Sequence, residues 1–473
     1  MKVQKLRHSA NAMALKQAAA LAAVVATWGS FAPAATSLWS AGVVSGNTTS
    51  SGNWSSNSAP GWNGTGVPNA IGATASFGTA SVATSGNTTT QDIAGGITLG
   101  TLDFGNSSNL GSGARTLTMT NAITLNQDGA GSGYATISNT DTSTNAANRI
   151  SIGAGTFTLA DDLLISNTGK STNTSGAITA STSFGGSGNL TIYNVSNDLN
   201  SGGIALTGSS TFTGNVLIQK GAVSASSLGN SANAVTLGSS GNLSATLMTT
   251  GSSTNIGNNI TIASGSGGTL LLGSNSTASS NSIFSGTLTL NDNVTLTSAK
   301  AAGSDTRYTA AISGISKSVT IAGTGTTRFG NTTNTVNETY TGNTILTDTA
   351  SFALSKLASL KFVIGANGIN NEITSNNTGN QAVSLDGIFN IDLTGAATIG
   401  SWTLVDAAKL AESYGANFTI TGFAHPDSDT FTTTANGATY TFKESTGVLT
   451  VPEPAGLAML AIGGGWALRR RRR

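Results

Sequence analysis

The chain has 473 residues, of which 38% are hydrophobic and only 9% charged, with 61 glycines, 6 prolines and no cysteine. Missing cysteines exclude disulfides, zinc-thiolate centres and thiol nucleophiles, and a formal net charge of +1 excludes the strongly basic surface that tracks nucleic acid phosphates. A chain of this length buries enough core to stand without cross-links.

At the N-terminus Lys2, Lys5, Arg7 and Lys16 precede or border an apolar run from Ala18 to Trp28, with Ala32-Pro33-Ala34 just beyond. A charged start, a short apolar run and small residues predict a secretory signal peptide over residues 1–34, cut near Ala34. Residues 35–80 hold Trp39, Trp54 and Trp62. Exposed indoles stack on sugar rings, which makes the three candidate glycan contacts. The competing reading is a cap over the open first coil of a rod, which otherwise exposes its core and a strand edge.

From residue 81 to 384 the sequence is rich in glycine, serine, threonine and asparagine, and no proline occurs between Pro68 and Pro426. Apolar residues alternate with threonine in Ile97-Thr98-Leu99, Leu117-Thr118-Met119, Phe157-Thr158-Leu159, Leu190-Thr191-Ile192, Leu288-Thr289-Leu290 and Val294-Thr295-Leu296. Period-two alternation broken by Gly-Ser, Gly-Asn and Asn-Thr clusters predicts short strands joined by turns. Many very short strands over this length suit an all-β, right-handed parallel β-helix, at about 20 to 25 residues per coil and about 80 Å of rod.

Three segments share one pattern: Thr211-Phe212-Thr213-Gly214-Asn215-Val216-Leu217-Ile218, Ile283-Phe284-Ser285-Gly286-Thr287-Leu288-Thr289-Leu290 and Thr339-Tyr340-Thr341-Gly342-Asn343-Thr344-Ile345-Leu346. An aromatic stands two residues before a glycine, with a hydroxyl residue between and an apolar strand after. The pattern resembles the autotransporter-associated β-strand repeat, completed in the first copy by Lys220-Gly221-Ala222-Val223; the other two copies lack the later glycine, with Asn293 and Thr349 in that region. The resemblance implies a β-helical surface rod. A true autotransporter ends in a translocating membrane barrel of alternating strands, whereas this chain ends in one apolar segment and arginines, so self-translocation is not expected.

Residues 385–450 are expected to form a C-terminal β region or cap, with a short helix over Val405 to Ser413 around Ala-Ala-Lys-Leu-Ala. Catalytic groupings in the body are few. His425 stands beside Pro426, Asp427 and Asp429, with Ser413 and Ser428 nearby, but no strand-turn-helix elbow frames either serine, and an exposed His-Pro-Asp turn is the simpler account. Asp161 and Asp162 would point to opposite sides of a strand, so they read as a solvated turn; Asp386 and Asp392 are isolated. Gly185-Gly186-Ser187-Gly188-Asn189-Leu190 is similar to one calcium-binding nonapeptide unit, with asparagine where aspartate belongs and no tandem neighbour, and reads as a glycine-rich turn. No catalytic, cofactor-binding or metal-binding residue is assigned.

Residues 451–473 run Val451-Pro452-Glu453-Pro454, an apolar segment from Ala455 to Leu468, and Arg469, Arg470, Arg471, Arg472 and Arg473. An uncharged segment closed by arginines enters a membrane with the arginines held on the cytoplasmic side. About 14 residues span about 21 Å as a helix, against a ~30 Å hydrocarbon core, and snorkelling arginines lengthen the effective span. A plain C-terminal anchor and an apolar helix packed on the body are the competing readings. The Pro452-Glu453-Pro454 tripeptide, apolar segment and arginine cluster together resemble the PEP-CTERM sorting signal. That resemblance implies transient anchoring in the inner membrane, an exosortase-type membrane peptidase as partner, and release to the cell surface or extracellular space.

Nine of the 21 basic residues lie in these two ends, leaving 12 against 20 acidic ones in the exported body. Such a body is mildly acidic and offers nucleic acid no basic patch. The sequence thus predicts an exported, non-enzymatic structural protein of the cell surface or extracellular matrix, associated with exopolysaccharide. A polysaccharide-cleaving enzyme on the same rod and a glycan-binding adhesin stand as alternatives.

Overall fold

The computed structural model describes residues 36–40, 52–55, 61–63, 66–77, 87–105, 115–129, 133–140, 150–169, 178–199, 202–251, 253–347, 349–377 and 381–453. The signal peptide and the tail from Pro454 onward lie outside these residues. Among the described residues the chain is all-β, with no helix and no strand longer than the ten residues of Val216–Ala225.

Side chains that alternate inward and outward can close a core only if each short strand has a neighbour above and below. The neighbours come from the next coil. On one face Thr74–Ser76, Thr101–Asp103, Tyr134–Asn139, Asp162–Asn167, Leu190–Asn194, Val216–Ala225, Val235–Leu237, Ile260–Ile262 and Leu288–Leu290 pair in parallel, each with the next. A second face begins with Gly52–Asn53, Asn87–Gln91, Arg115–Met119, Ile150–Ile152, Ile178–Ala180 and Ile204–Leu206. A third carries Thr156–Leu159 on Ser183–Gly186 and, further on, Asp305–Tyr308 on Thr326–Phe329. The result is a parallel β-solenoid of about 11 turns. At ~4.8 Å per turn the stack is about 50 Å long, shorter than the expected rod. The coils are correspondingly larger, 28 residues from Asn139 to Asn167 and 27 from Asn167 to Asn194.

The core is built from ladders. Ile137, Ile165, Ile192 and Ile218 stand over one another as partners on successive coils, all buried. Phe157 stacks on Phe184 at 5.4 Å, and Phe284 on Tyr308 at 5.1 Å and 7°. Tyr308 keeps its hydroxyl satisfied by donating to the Leu272 carbonyl at 3.0 Å. At one inner corner Asn139, Asn167 and Asn194 form a buried amide column: each Nδ2 of the first two donates to the next Oδ1, at 2.9 and 2.8 Å, and Asn194 donates to the Ala222 carbonyl. At another, buried hydroxyls meet, with Thr249 donating to Ser282, Ser282 to Ser274 and Thr306 to Ser298.

The aromatic-hydroxyl-glycine pattern acquires a physical meaning here. Phe212, Phe284 and Tyr340 point into the core, and the chain then turns so tightly against the previous coil that a Cβ has no room. On Gly214 it would lie 2.2 Å from the Gly188 carbonyl oxygen, on Gly286 2.0 Å from that of Asn258, and on Gly342 2.3 Å from that of Lys317. Where asparagine comes after the glycine it ties the coils together on the outside: Asn215 Oδ1 accepts from Ala234 N and Asn343 Oδ1 from Glu372 N, both at 3.1 Å.

Residues 35–80 are continuous with the stack, since Thr36 and Ser37 already pair in parallel with Thr74 and Ala75. Across the other edge Thr36–Ser40 runs antiparallel to Gly61–Asn63. At the far end the stack reaches Thr419–Ile420 and meets a four-stranded antiparallel sheet of Gly400–Thr403, Val448–Val451, Ala438–Lys443 and Thr430–Ala435.

The helix expected over Val405 to Ser413 does not form. Residues 406–409 make a turn in which the Asp406 carbonyl accepts from Lys409 N and Leu410 N, and Leu410–Tyr414 is a strand paired with Gln381–Leu385. Helix propensity is a weak prior, and here the ladder offered by the preceding coil outweighs it.

Candidate functional site

Each grouping singled out in the sequence has a defined place. Trp39, Trp54 and Trp62 are buried and packed edge to face, Trp39 against Trp62 at 5.1 Å and Trp54 against Trp62 at 4.9 Å. Phe77 lies against all three and stacks on Phe104 at 5.2 Å. The rings thus cover one another at the N-terminal end of the core, and none presents an open face to a sugar.

Asp161 and Asp162 diverge, as strand geometry requires, but Asp161 is not a solvated turn residue. It is buried, and its Oδ2 accepts from the backbone of Gln127 and Asp128 on the preceding coil at 2.6 and 3.1 Å. The carboxylate satisfies two amides that the turn leaves without partners. Asp162 faces outward and accepts from Asn189 N at 2.8 Å. Asp386 accepts from Asn417 N at 3.0 Å. Asp392 pairs with Lys361 at 3.1 Å, and hydrogen bonds from Thr394 together with Lys361 hold its carboxyl below the usual range. These carboxylates fasten neighbouring turns.

His425 lies flat on Phe431, 4.0 Å between centroids and 6° between planes, in an exposed turn. Asp427 Oδ1 accepts from Asp429 N at 2.9 Å, which lowers the Asp427 carboxyl. Asp429 is engaged by Ser445 through both N and Oγ, at 2.7 and 2.9 Å. Ser413 Oγ donates to the Val383 carbonyl, so its proton is directed at the backbone and not at an imidazole. In the glycine-rich segment Gly185 to Leu190, Gly186 takes φ +95°, and a Cβ there would meet the Leu159 carbonyl oxygen at 2.3 Å; the segment is a tight turn between strands. Among the described residues no group of three or more His, Asp or Glu side chains is disposed to hold a metal ion.

Pro452 and Glu453 are exposed and come directly after Val448–Val451. The Pro-Glu-Pro tripeptide therefore begins where the last described strand ends. Pro454 and Arg469 to Arg473 lie outside the described residues. Among the described residues no helix is long and apolar enough to cross a membrane.

Sequence reasoning passed over three features: the buried asparagine column, the buried carboxyl of Glu338, and the uncharged turns around Val451. The first had a signal, since Ile137-Ser138-Asn139, Ile165-Ser166-Asn167 and Ile192-Tyr193-Asn194 end three strands at nearly equal spacing. No protein-family model matches the chain, and no curated protein or solved structure is significantly similar to it. The fold and its surfaces define a parallel β-solenoid.

Proposed function

We propose that the chain is an exported structural protein of the cell surface or extracellular matrix, delivered by its signal peptide and held at the inner membrane by its tail. In this reading an exosortase-type peptidase then cuts near Pro452 to Pro454. The observation that carries it is the junction at Val451: a strand residue paired with Gly400 passes directly to exposed Pro452 and Glu453, beyond which the sequence continues with Pro454, an apolar segment and five arginines. A tripeptide standing clear of a sheet is accessible to a peptidase in a way that a strand is not.

The body's own work is to present surface. Outward positions along the coils carry threonine, serine and asparagine, as in Thr118, Thr191 and Thr261. Repetition of weak hydrogen bonds over successive coils gives association with a neutral polysaccharide through many simultaneous contacts. Intact mass of the protein released by a host that carries the peptidase tests the sorting step. The expected product ends near Pro452 to Pro454; released protein that retains Arg469 to Arg473 overturns it.

A further inference from the structure

Val451 is the last paired residue and stands opposite Gly400. Three turns surround this exit: residues 364–371, residues 393–401 and the hairpin tip from Ala435 to Ala438. They are tied to one another and to the sheet. Ala397 N donates to the Gly365 carbonyl and Gly368 N to that of Ser401, both at 3.1 Å, while Asn436 Nδ2 reaches the Leu393 carbonyl at 2.8 Å and Tyr440 Oη that of Ala397 at 3.0 Å. No residue of the three turns is charged, although 19 of the chain's 20 acidic residues lie in the body, the other being Glu453 just beyond the exit. Two large apolar side chains stand out of this collar, Ile369 at 64% exposure and Ile399 at 40%. Isolated exposed isoleucines need no explanation; two on hydrogen-bonded turns around the point where an apolar tail leaves form a surface.

We infer that this collar is a membrane-contacting surface, with Ile369 and Ile399 seated in the interfacial layer of the bilayer that receives Ala455 to Leu468. The inference rests on the reading of the tail as membrane-entering. Its geometry comes from chain length. Three residues, Pro452 to Pro454, reach at most about 10 Å, so the collar lies within that distance of the point of entry. About 14 residues crossing as a helix would reach about 21 Å against a ~30 Å hydrocarbon core, and a short span is accommodated by thinning the bilayer. On one side the flank is the arginine cluster, which stays with the headgroups. On the other it is the collar, whose lack of charge removes the main penalty for approaching the apolar layer. The isoleucines gain by leaving water.

The missing cysteines make the test direct. Ile369→Cys, Ile399→Cys and Tyr134→Cys variants of the full chain, the last an exposed site on a strand in the first half of the stack, are labelled with an environment-sensitive fluorophore. They are then mixed with vesicles of phosphatidylethanolamine and phosphatidylglycerol bearing a lipid-attached quencher. The expected result is a blue shift and several-fold stronger quenching at 369 and 399 than at 134. If the chain floats with vesicles while 369 and 399 are quenched no more than 134, the collar is refuted and the tail reading stands. A chain that fails to float refutes both.

Discussion

Asn167 donates from Nδ2 to Oδ1 of Asn194 at 2.8 Å inside the solenoid, with both side chains buried. Because Asn167 also accepts from Asn139, it is the middle of the column, both donor and acceptor. Replacing it with leucine takes an acceptor from the Asn139 amine in a buried corner, while Asn194 Oδ1 keeps its hydrogen bond from Ser196 N. Such a loss costs about 1–3 kcal/mol, and Asn167→Leu is expected to lose about that much. The measurement is the denaturant midpoint, with hydrogen exchange locating the loosened amides between residues 134 and 225.

The turn glycines predict a contrast among alanine variants. Gly286→Ala drives a Cβ into the Asn258 carbonyl oxygen, at 2.0 Å, and should cost about 2–4 kcal/mol because the obstacle is backbone that other coils hold in place. Gly257→Ala meets nothing nearer than 3.5 Å and has no left-handed φ, so it should be neutral to within about 0.5 kcal/mol. Equal thermal shifts for the two would show that close approach is not what the repeat's glycine is for.

Glu338 predicts a dependence on pH. Burial pushes its carboxyl well above the usual range of 4.5, opposed by the hydrogen bond from Ile312 N, and its other oxygen has no partner. In the unfolded chain this group releases its proton near the ordinary value, whereas the folded chain retains it. The folded state therefore binds more protons across that window, and this contribution to stability falls as pH rises from about 4.5 towards the raised value. Glu338→Gln should flatten that slope, gaining on the parent chain at pH 7 and not at pH 4. Parallel denaturant titrations at the two values read the difference.

The aromatic end predicts a local opening. Trp62 touches Trp39, Trp54 and Phe77, so Trp62→Ala removes the centre of the cluster at about 3–5 kcal/mol. Exchange should rise between residues 36 and 105 while amides near residue 300 keep their protection, as expected where each coil contacts only its neighbours. Light scattering should also report self-association, since the edge strand beneath becomes available for pairing.

Asp305 predicts a salt-sensitive effect. Arg307 and Arg328 are partners on adjacent coils, and both Nε groups donate to the Asp305 carboxylate. Asp305→Asn leaves two like charges one coil apart, and a loss of about 1–3 kcal/mol is expected, narrowing in high salt as the repulsion is screened.

Much of this architecture was readable from residue order, and the reason is periodicity. Leu190-Thr191-Ile192 and Leu288-Thr289-Leu290 could only be strands with one face buried, and glycine-rich breaks every few residues left little but a coiled stack. The coil length was less visible because serine, asparagine and glycine turns stretch without altering the strands they join. Asn167 was hidden for a related reason: in a chain full of turn asparagines, a buried one looks like the rest. Asp161 misled because its partners, Gln127 and Asp128, stand a coil away, and Leu410 because its pairing with Gln381 is equally remote. The surroundings of Val451 were not legible, since the collar is assembled from three turns far apart in sequence.

The antiparallel strand at the N-terminal end of the stack has a consequence for size. On the first face the Thr36–Ser40 edge is already taken by the antiparallel Gly61–Asn63, and there the rod does not extend itself as a fibre would. Its reach is a counted quantity, fixed by how many coils the gene encodes. Duplicating or deleting one coil changes that reach by ~4.8 Å and leaves the cap, the collar and the exit untouched. The protein is in effect a gauge block, adjustable in whole steps.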